Sequence, residues 1–383
     1  MSQVLDSEVR VREAVASARR VVVKVGSSSL ASAQGGLDVA ALDTLVDALA
    51  EQCKAGREII LVTSGAIAAG CTPLGLSRRP VDLAQQQAAA AVGQGLLIAR
   101  YTAAFAAHGI TVAQVLVTVA DIARRTSYQN ALRTFGALTR LGVTPIVNEN
   151  DTVATREIRF GDNDRLAALV AEMVRAHALI LLSDVDAMYS AHPDKPEANP
   201  VTFVPRVGAL PADVDKPGES GVGSGGMRSK IDAARLAANA GIPAVVTACE
   251  LVSDALTGET VGTAFAPSSK RRSRRLLWLA DASVAQGRLH IDDGAVKALT
   301  SASASLLAAG ITSVEGGFDA GDPIEVVAPD GHVVARGLVA FSADDLPPML
   351  GRSSAELATS LGERFGHEVI HRDDLVLVRK SSP

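Results

Sequence analysis

Two hydrophobic periodicities alternate along the first two-thirds of this chain, and that alternation constrains the fold more than any other feature. Short β-branched runs read as strands: RVVVKVG (20–26), EIILVTSG (58–65), ITVAQVLVT (110–118), VTPIVNEN (143–150), ALILLSDVD (178–186) and PAVVTA (243–248). Helical patterns lie between them. Within residues 37–56, Val39, Leu42, Leu45, Val46, Leu49 and Cys53 recur at helical spacing, and an Ala-rich helical region reaches about residue 107. Strands alternating with helices make crossover connections, which align the strands in parallel and cover both faces of the sheet. The expected fold class is therefore α/β, a mostly parallel sheet sandwiched by helices. Ligands on such sheets gather beyond the carboxyl ends of the strands.

Composition supports this and narrows the function. The chain has 383 residues, enough for two or three domains, and its 48% hydrophobic content suffices for an ordinary α/β core. The apolar runs are broken by charge well short of a membrane span. The opening residues, MSQVLDSEVRVREAVASARR, mix acids with bases and hold no continuous apolar region, so they are not a signal peptide. Residues 1–19 are expected to be a short helix or frayed leader. Cys53, Cys71 and Cys249 sit in separate elements and form neither a metal pattern nor a disulfide framework, which favours a reducing cytoplasm. A net charge of −5 argues against a basic nucleic-acid coat. The seven histidines are scattered and read as surface or structural.

The texture changes near residue 270. SSKRRSRR (268–275) is a basic run, read as a solvated linker, with a nucleic-acid contact as the sharper alternative. Beyond it, PIEVVAPDGHVVARGLV (323–339) reads as a hairpin around Pro329-Asp330-Gly331. The expected organisation is a leader (1–19), an α/β domain (20–265), a basic linker (266–276), a small β-rich domain (277–375) and a tail (376–383).

Four segments of the α/β domain end a strand or open a helix with groups suited to anions. In GESGVGSGGMRSKIDAARLAANAG (218–241) the glycines satisfy G-x-G-x-x-G, but the preceding residues are polar turn formers, not the strand that a dinucleotide fingerprint needs. The Walker pattern fails as well. A glycine-rich loop running into a helix, with Lys230 in the first turn, can still hold an anion; a solvated linker is the lesser alternative for this segment alone. Lys24 lies within a valine strand; an edge-strand charge is one reading, but the Gly26-Ser27-Ser28 turn directly after it favours a phosphate role. Ser64-Gly65-Ala66 either turns backbone N–H groups towards a ligand or is only a tight strand-to-helix turn. In NENDTVATREIRFGDND, polar residues from Asn148 to Asp151 and from Asp162 to Asp164 crowd a short excursion. Capping of a helix from 164 explains Asp162 or Asn163, but not a strand ending in Asn-Glu-Asn-Asp. Two lysines and a cluster of acids on one rim suit phosphoryl transfer, which asks the protein mainly for positioning and charge neutralisation.

VVVKVGSSSL, LVTSGAIAAG, VNENDTVAT with GDND, LLSDVDAMYS and GSGGMRSK stand in an order that resembles the bacterial glutamate 5-kinase family of the amino-acid kinase superfamily. GRLHIDDGAVKAL, GITSVEGGFDAGDPIEVV and GHVVARG are similar to a PUA domain, the usual C-terminal partner in that family. The resemblance covers nearly the whole chain after residue 19. It implies an amino-acid kinase fold and phosphorylation of the γ-carboxylate of L-glutamate by Mg-ATP, the first step towards proline. It further implies a cytoplasmic homo-oligomer, commonly a tetramer, that proline inhibits. Lys24 and Lys230 would neutralise the transferring phosphoryl group, and Asp164 would orient the two lysines. Ser64, Gly65, Asp151 and Asn163 would bind glutamate, with Asp151 on its ammonium and Ser64 and Asn163 donating to its carboxylates. Lys24, Gly26, Ser183, Asp184, Ser224, Gly225, Gly226, Met227, Arg228, Ser229 and Lys230 would bind ATP; the resemblance assigns no Mg²⁺ ligands. Ala187, His192 and Arg156 depart from the family pattern. A sister enzyme acting on acetylglutamate, aspartate or a nucleoside monophosphate is the near alternative. RNA binding through the PUA-like domain is the distant one, and the acidic balance weighs against it as the main role.

Overall fold

The computed structural model describes residues 2–32, 36–76, 78–123, 125–153, 163–191, 198–205, 226–268, 285–302 and 304–378. The chain divides into two compact units, Met1–Val119 with Asn130–Arg271 and Ala120–Gln129 with Arg272–Pro383. In chain order the elements begin α1 (Ser2–Ala16), β1 (Arg20–Lys24), α2 (Val39–Lys54), β2 (Glu58–Val62), α3 (Ala66–Cys71), α4 (Leu83–Ala106) and β3 (Val112–Val117). They continue with α5 (Val119–Ala123), α6 (Arg125–Arg140), β4 (Thr144–Glu149), α7 (Asn163–Val174), β5 (Ala178–Ser183), β6 (Met188–Tyr189), β7 (Pro200–Val201) and β8 (Phe203–Val204). Next come α8 (Met227–Asn239), β9 (Ala244–Ala248), α9 (Val252–Thr257) and β10 (Thr263–Phe265).

Each of the six β-branched runs forms a strand of one eight-stranded sheet, in the order β3-β4-β2-β1-β5-β9-β10-β8. All its pairings are parallel except β9 with β10. Every residue of β4, β5 and β9 is buried, which is why these segments read as apolar runs instead of alternating ones. β3 lies at the sheet edge and is only partly covered. The stripe predicted for residues 37–56 is α2, opened by the Asp38 side chain accepting from Ala41 N at 3.0 Å. Its Leu42, Leu45, Val46 and Leu49 are buried, whereas Val39 remains exposed.

Of the two expectations for the N-terminal segment, a short helix or a frayed leader, the structure has the helix. Its described residues form α1, whose Val11 and Val15 share a core cluster with Val21 and Val23 of β1. Arg12 is buried, pairs with Glu8 at 2.8 Å, and donates to the carbonyls of Thr202, Glu259 and Val261. A charge pattern that looks solvated in sequence is here an internal staple from α1 to the loop before β10.

The second unit holds β11 (Gly287–Ile291), α10 (Asp293–Ala302), β12 (Ile311–Gly316), β13 (Pro323–Val327), β14 (Val333–Leu338), α11 (Ser354–Leu361) and β15 (Leu375–Leu377). Its five-stranded sheet runs β12-β11-β13-β14-β15 around its own core, which includes Leu289, Ile324, Val326, Leu346 and Val369. The expected hairpin is β13–β14, antiparallel, with Gly331 at φ +84° in the turn. β15 pairs with β14 and crosses the expected domain end at 375, so the tail begins inside a strand. The start of the expected basic linker is described only to residue 268, and the junction with the β-rich domain lies outside the described residues.

Candidate active site

The chain leaves β1 to one side to build β2 and β4, then returns to the other side for β5, so strand order reverses between β1 and β5. Ligand crevices of parallel sheets open at such points. Lys24 is the last residue of β1, in register with Leu181, and Ser183 closes β5. Ser64 and Gly65 follow β2, Asn148 and Glu149 end β4, and Asn163 and Asp164 open α7. Gly65 has φ +105°, a conformation that penalises any side chain, and it starts α3 immediately beyond the strand end.

Two ammonium groups from distant parts of the sequence meet on one carboxylate. Lys24 Nζ lies 2.5 Å from Asp164 Oδ1, and Lys230 Nζ, from the first turn of α8, lies 3.3 Å from Oδ2. Ser229 Oγ donates to the same Oδ2 at 2.6 Å. The Asp164 side chain is fully buried, and the two lysine side chains are 5% and 6% exposed. Burial by itself would push the Asp164 carboxyl up; the Lys24 and Lys230 ammonium groups and the Ser229 hydroxyl outweigh it and hold the group below its ordinary range. Asp164 is therefore an ionised strut between two cations and is unsuited to taking a proton. The three charges sum to one positive charge in a nearly dry place, which is what an anionic ligand requires. A Cβ on Gly26 would stand 3.6 Å from Lys24 Nζ, so the glycine's bare α-carbon faces that ammonium group.

Next to this cluster lies a network of amides. Asn163 Nδ2 donates to Thr63 O at 3.0 Å, Ser64 Oγ at 2.9 Å and Asn148 Oδ1 at 3.1 Å. This differs from the expectation that Asn163 donates to substrate carboxylates. Its amide nitrogen is committed to protein acceptors, and its Oδ1 is buried with no hydrogen-bond partner among the described residues. Behind Ser64, the Thr63 hydroxyl lies 2.9 Å from the phenol of the fully buried Tyr101 on α4. Burial pushes the Tyr101 phenol well above its ordinary range, so it stays protonated. Asp151 is partly buried; burial raises its carboxyl to about 6, with Arg79 pulling partly the other way.

The remaining predicted positions divide plainly. Ser183 is buried and donates to Asp184 Oδ1 at 3.0 Å, while Asp184 is exposed. Gly226 is the N-cap of α8, Gly226 and Arg228 are exposed, and Met227 and Ser229 are half-buried. Ser224, Gly225, Asp162, Arg156 and His192 lie outside the described residues, and Ala187 is buried just before β6. Among the described residues, no three His, Cys, Asp or Glu side chains gather as a metal cage. Gln94, Thr63 and Tyr101 escaped sequence reasoning, because one of four Gln and the single Tyr of an Ala-rich helix, and a Thr after a strand, carry no local pattern to mark them.

The chain belongs to the amino acid kinase family, whose model matches residues 19–248, and a PUA domain matches residues 287–361. The glutamate 5-kinase of Streptomyces avermitilis is 58% identical over 370 residues, 96% of this chain and 99% of that protein. The glutamate 5-kinase of Cutibacterium acnes is 57% identical over 369 residues, covering 96% and 94%. Among solved structures, a carbamate kinase from Giardia lamblia bound to AMP-PNP matches with a TM-score of 0.50 at 18% identity. That match covers 66% of this chain and all of the other, and it speaks to the fold.

Proposed function

We propose that this chain transfers the terminal phosphoryl group of ATP to the γ-carboxylate of L-glutamate, giving glutamate 5-phosphate and ADP, the first step towards proline. The observation that carries the reading is the pair of buried ammonium groups on Asp164, at the strand ends where an amino acid kinase is expected to bind phosphate. A γ-carboxylate oxygen bonds to the terminal phosphorus as that phosphorus separates from the bridging oxygen of ADP. No proton changes hands, because the acceptor is already ionised at neutral pH. This chemistry needs charge stabilisation and alignment, not a base.

Lys24 and Lys230 neutralise the phosphoryl oxygens on the way across, and Asp164 keeps the two cations from separating. Gly26 leaves room for a phosphate beside Lys24. Ser183, Asp184 and the run from Ser224 to Lys230 serve the nucleotide. Asp151 faces the glutamate ammonium, and Ser64, with its oxygen already accepting from Asn163, has its own hydrogen available for a substrate carboxylate. Mg²⁺ would come with ATP and offset part of the phosphate charge. The family resemblance adds a cytoplasmic homo-oligomer and inhibition by proline. No described helix is long and apolar enough to cross a membrane.

ADP release with L-glutamate, N-acetylglutamate, L-aspartate and UMP in parallel tests the assignment. Glutamate is expected to be preferred, with hydroxylamine trapping its acyl phosphate as a hydroxamate. Equal or better turnover of another acceptor overturns it. Light scattering, and the same assay with excess proline, check the assembly and the inhibition.

A further inference from the structure

Three side-chain amides, Gln94, Asn148 and Asn163, form a chain, and backbone groups set the direction of the latter two. Asn148 Oδ1 accepts from its neighbour's backbone, Glu149 N, at 2.9 Å, so its Nδ2 must point the other way. There it donates to Gln94 Oε1 at 2.6 Å. Asn163 Nδ2 faces the Thr63 carbonyl, which can only accept, as well as Asn148 Oδ1. A flip of either asparagine would set like against like at a backbone group. Among the described residues Asn163 Oδ1 is left over, a buried acceptor whose partner has to be a donor. Gln94 sits half-buried on α4, opposite the strand ends, and its acceptor closes the chain.

We infer that Gln94 is a positioning residue: by accepting from Asn148 Nδ2 it holds in place the Asn148 amide on which Asn163 rests, so that Asn163 presents its oxygen to the ammonium group of the amino-acid substrate. This rests on the glutamate reading above. Asp151 then supplies charge for that ammonium, and Asn163 supplies direction. Discrimination for a substrate carrying an ammonium group thus depends on a residue one amide removed from the nearest contact.

The test compares Gln94→Met, which keeps bulk and removes the acceptor, with Gln94→Glu, which keeps an acceptor, in the full-length protein. Measured quantities are KM for glutamate, KM for ATP, and the inhibition constant of glutarate, a dicarboxylate with no ammonium. Gln94→Met is expected to raise glutamate KM about tenfold, the effect of one oriented hydrogen bond to a charged group. ATP KM and glutarate inhibition should stay within about twofold, since neither ligand offers that donor. Gln94→Glu should restore glutamate KM to about twofold of wild type or better. Parallel loss of glutamate and glutarate binding in Gln94→Met would overturn the inference, and so would no change in either. If Gln94→Met does not fold, a tenfold rise in glutamate KM for Gln94→Glu overturns it alone. Wild-type protein that turns over no glutamate would overturn the proposed function and this inference together.

Discussion

Replacing Asp164 by Asn removes the one negative charge between two buried ammonium groups and changes almost no volume. With N–O distances of 2.5 and 3.3 Å to the two carboxylate oxygens, the ammonium groups are close neighbours. At a separation on the order of 6 Å and an effective dielectric of about 20, their repulsion is about 3 kcal/mol once the carboxylate is gone. Removing one partner from a buried ion pair costs about 3–5 kcal/mol in general, so the two estimates agree. For a unit of this size, 1 kcal/mol corresponds to about 2–4 °C in Tm, so Asp164→Asn should melt about 10 °C lower. Phosphate oxygens bound between the lysines would stand in for the lost carboxylate. A non-hydrolysable ATP analogue should therefore raise the variant's Tm more than the wild type's.

The pH dependence has a definite sign. Asp164 titrates below its ordinary value in the folded protein. Its stabilisation is complete above the unfolded value of about 3.9 and is lost only as pH falls through the folded one. The Tm gap between wild type and variant should therefore be flat from about pH 8 to 5 and narrow only below about 4. Turnover measured well below the variant's Tm should fall at least about 10²-fold. A variant melting within about 2 °C of wild type and working within about tenfold of its rate would refute the claim that Asp164 holds the lysines.

Three further outcomes follow from the same geometry. Lys230→Ala should lower kcat by about 10²–10³ with little change in glutamate KM, and a near-normal rate removes Lys230 from the transfer step. A methyl group on Gly93 would lie 1.8 Å from the Ala66 carbonyl of α3, in place of an ordinary contact of 3.4 Å or more. Gly93→Ala should thus cost at least about 1–3 kcal/mol despite a helix-propensity gain of about 1 kcal/mol, and it should raise glutamate KM by moving Ser64; equal thermal stability would contradict the packing argument. Because Asp151 must be ionised to meet an ammonium and burial raises it to about 6, glutamate kcat/KM should fall as pH drops below that value. Asp151→Asn should be weak at all pH values and lack that limb.

Much of this molecule could be read from the chain. The six β-branched runs became strands because a parallel sheet covered on both faces demands continuous apolar segments, which leave a local trace. Lys24 and the loop leading to Lys230 stood out because a lysine among valines and a glycine-rich helix start are locally odd. Other features left no such trace. Gly70 and Gly93 look like ordinary glycines in Ala-rich helices until α3 and α4 are packed, when each proves to be where the other helix's backbone passes. Arg12 and Glu8 look solvated until a loop remote in sequence closes over them.

The local sequence determined which segments are strands, which are helices, and which strand ends carry anion-binding groups, because those properties depend on a residue and its near neighbours. Only the tertiary structure decided that Lys24 and Lys230 share Asp164 and that the Asn163 amide nitrogen is taken up by Thr63, Ser64 and Asn148. The sign and partner of a buried polar group depend on what long-range folding brings to its other side.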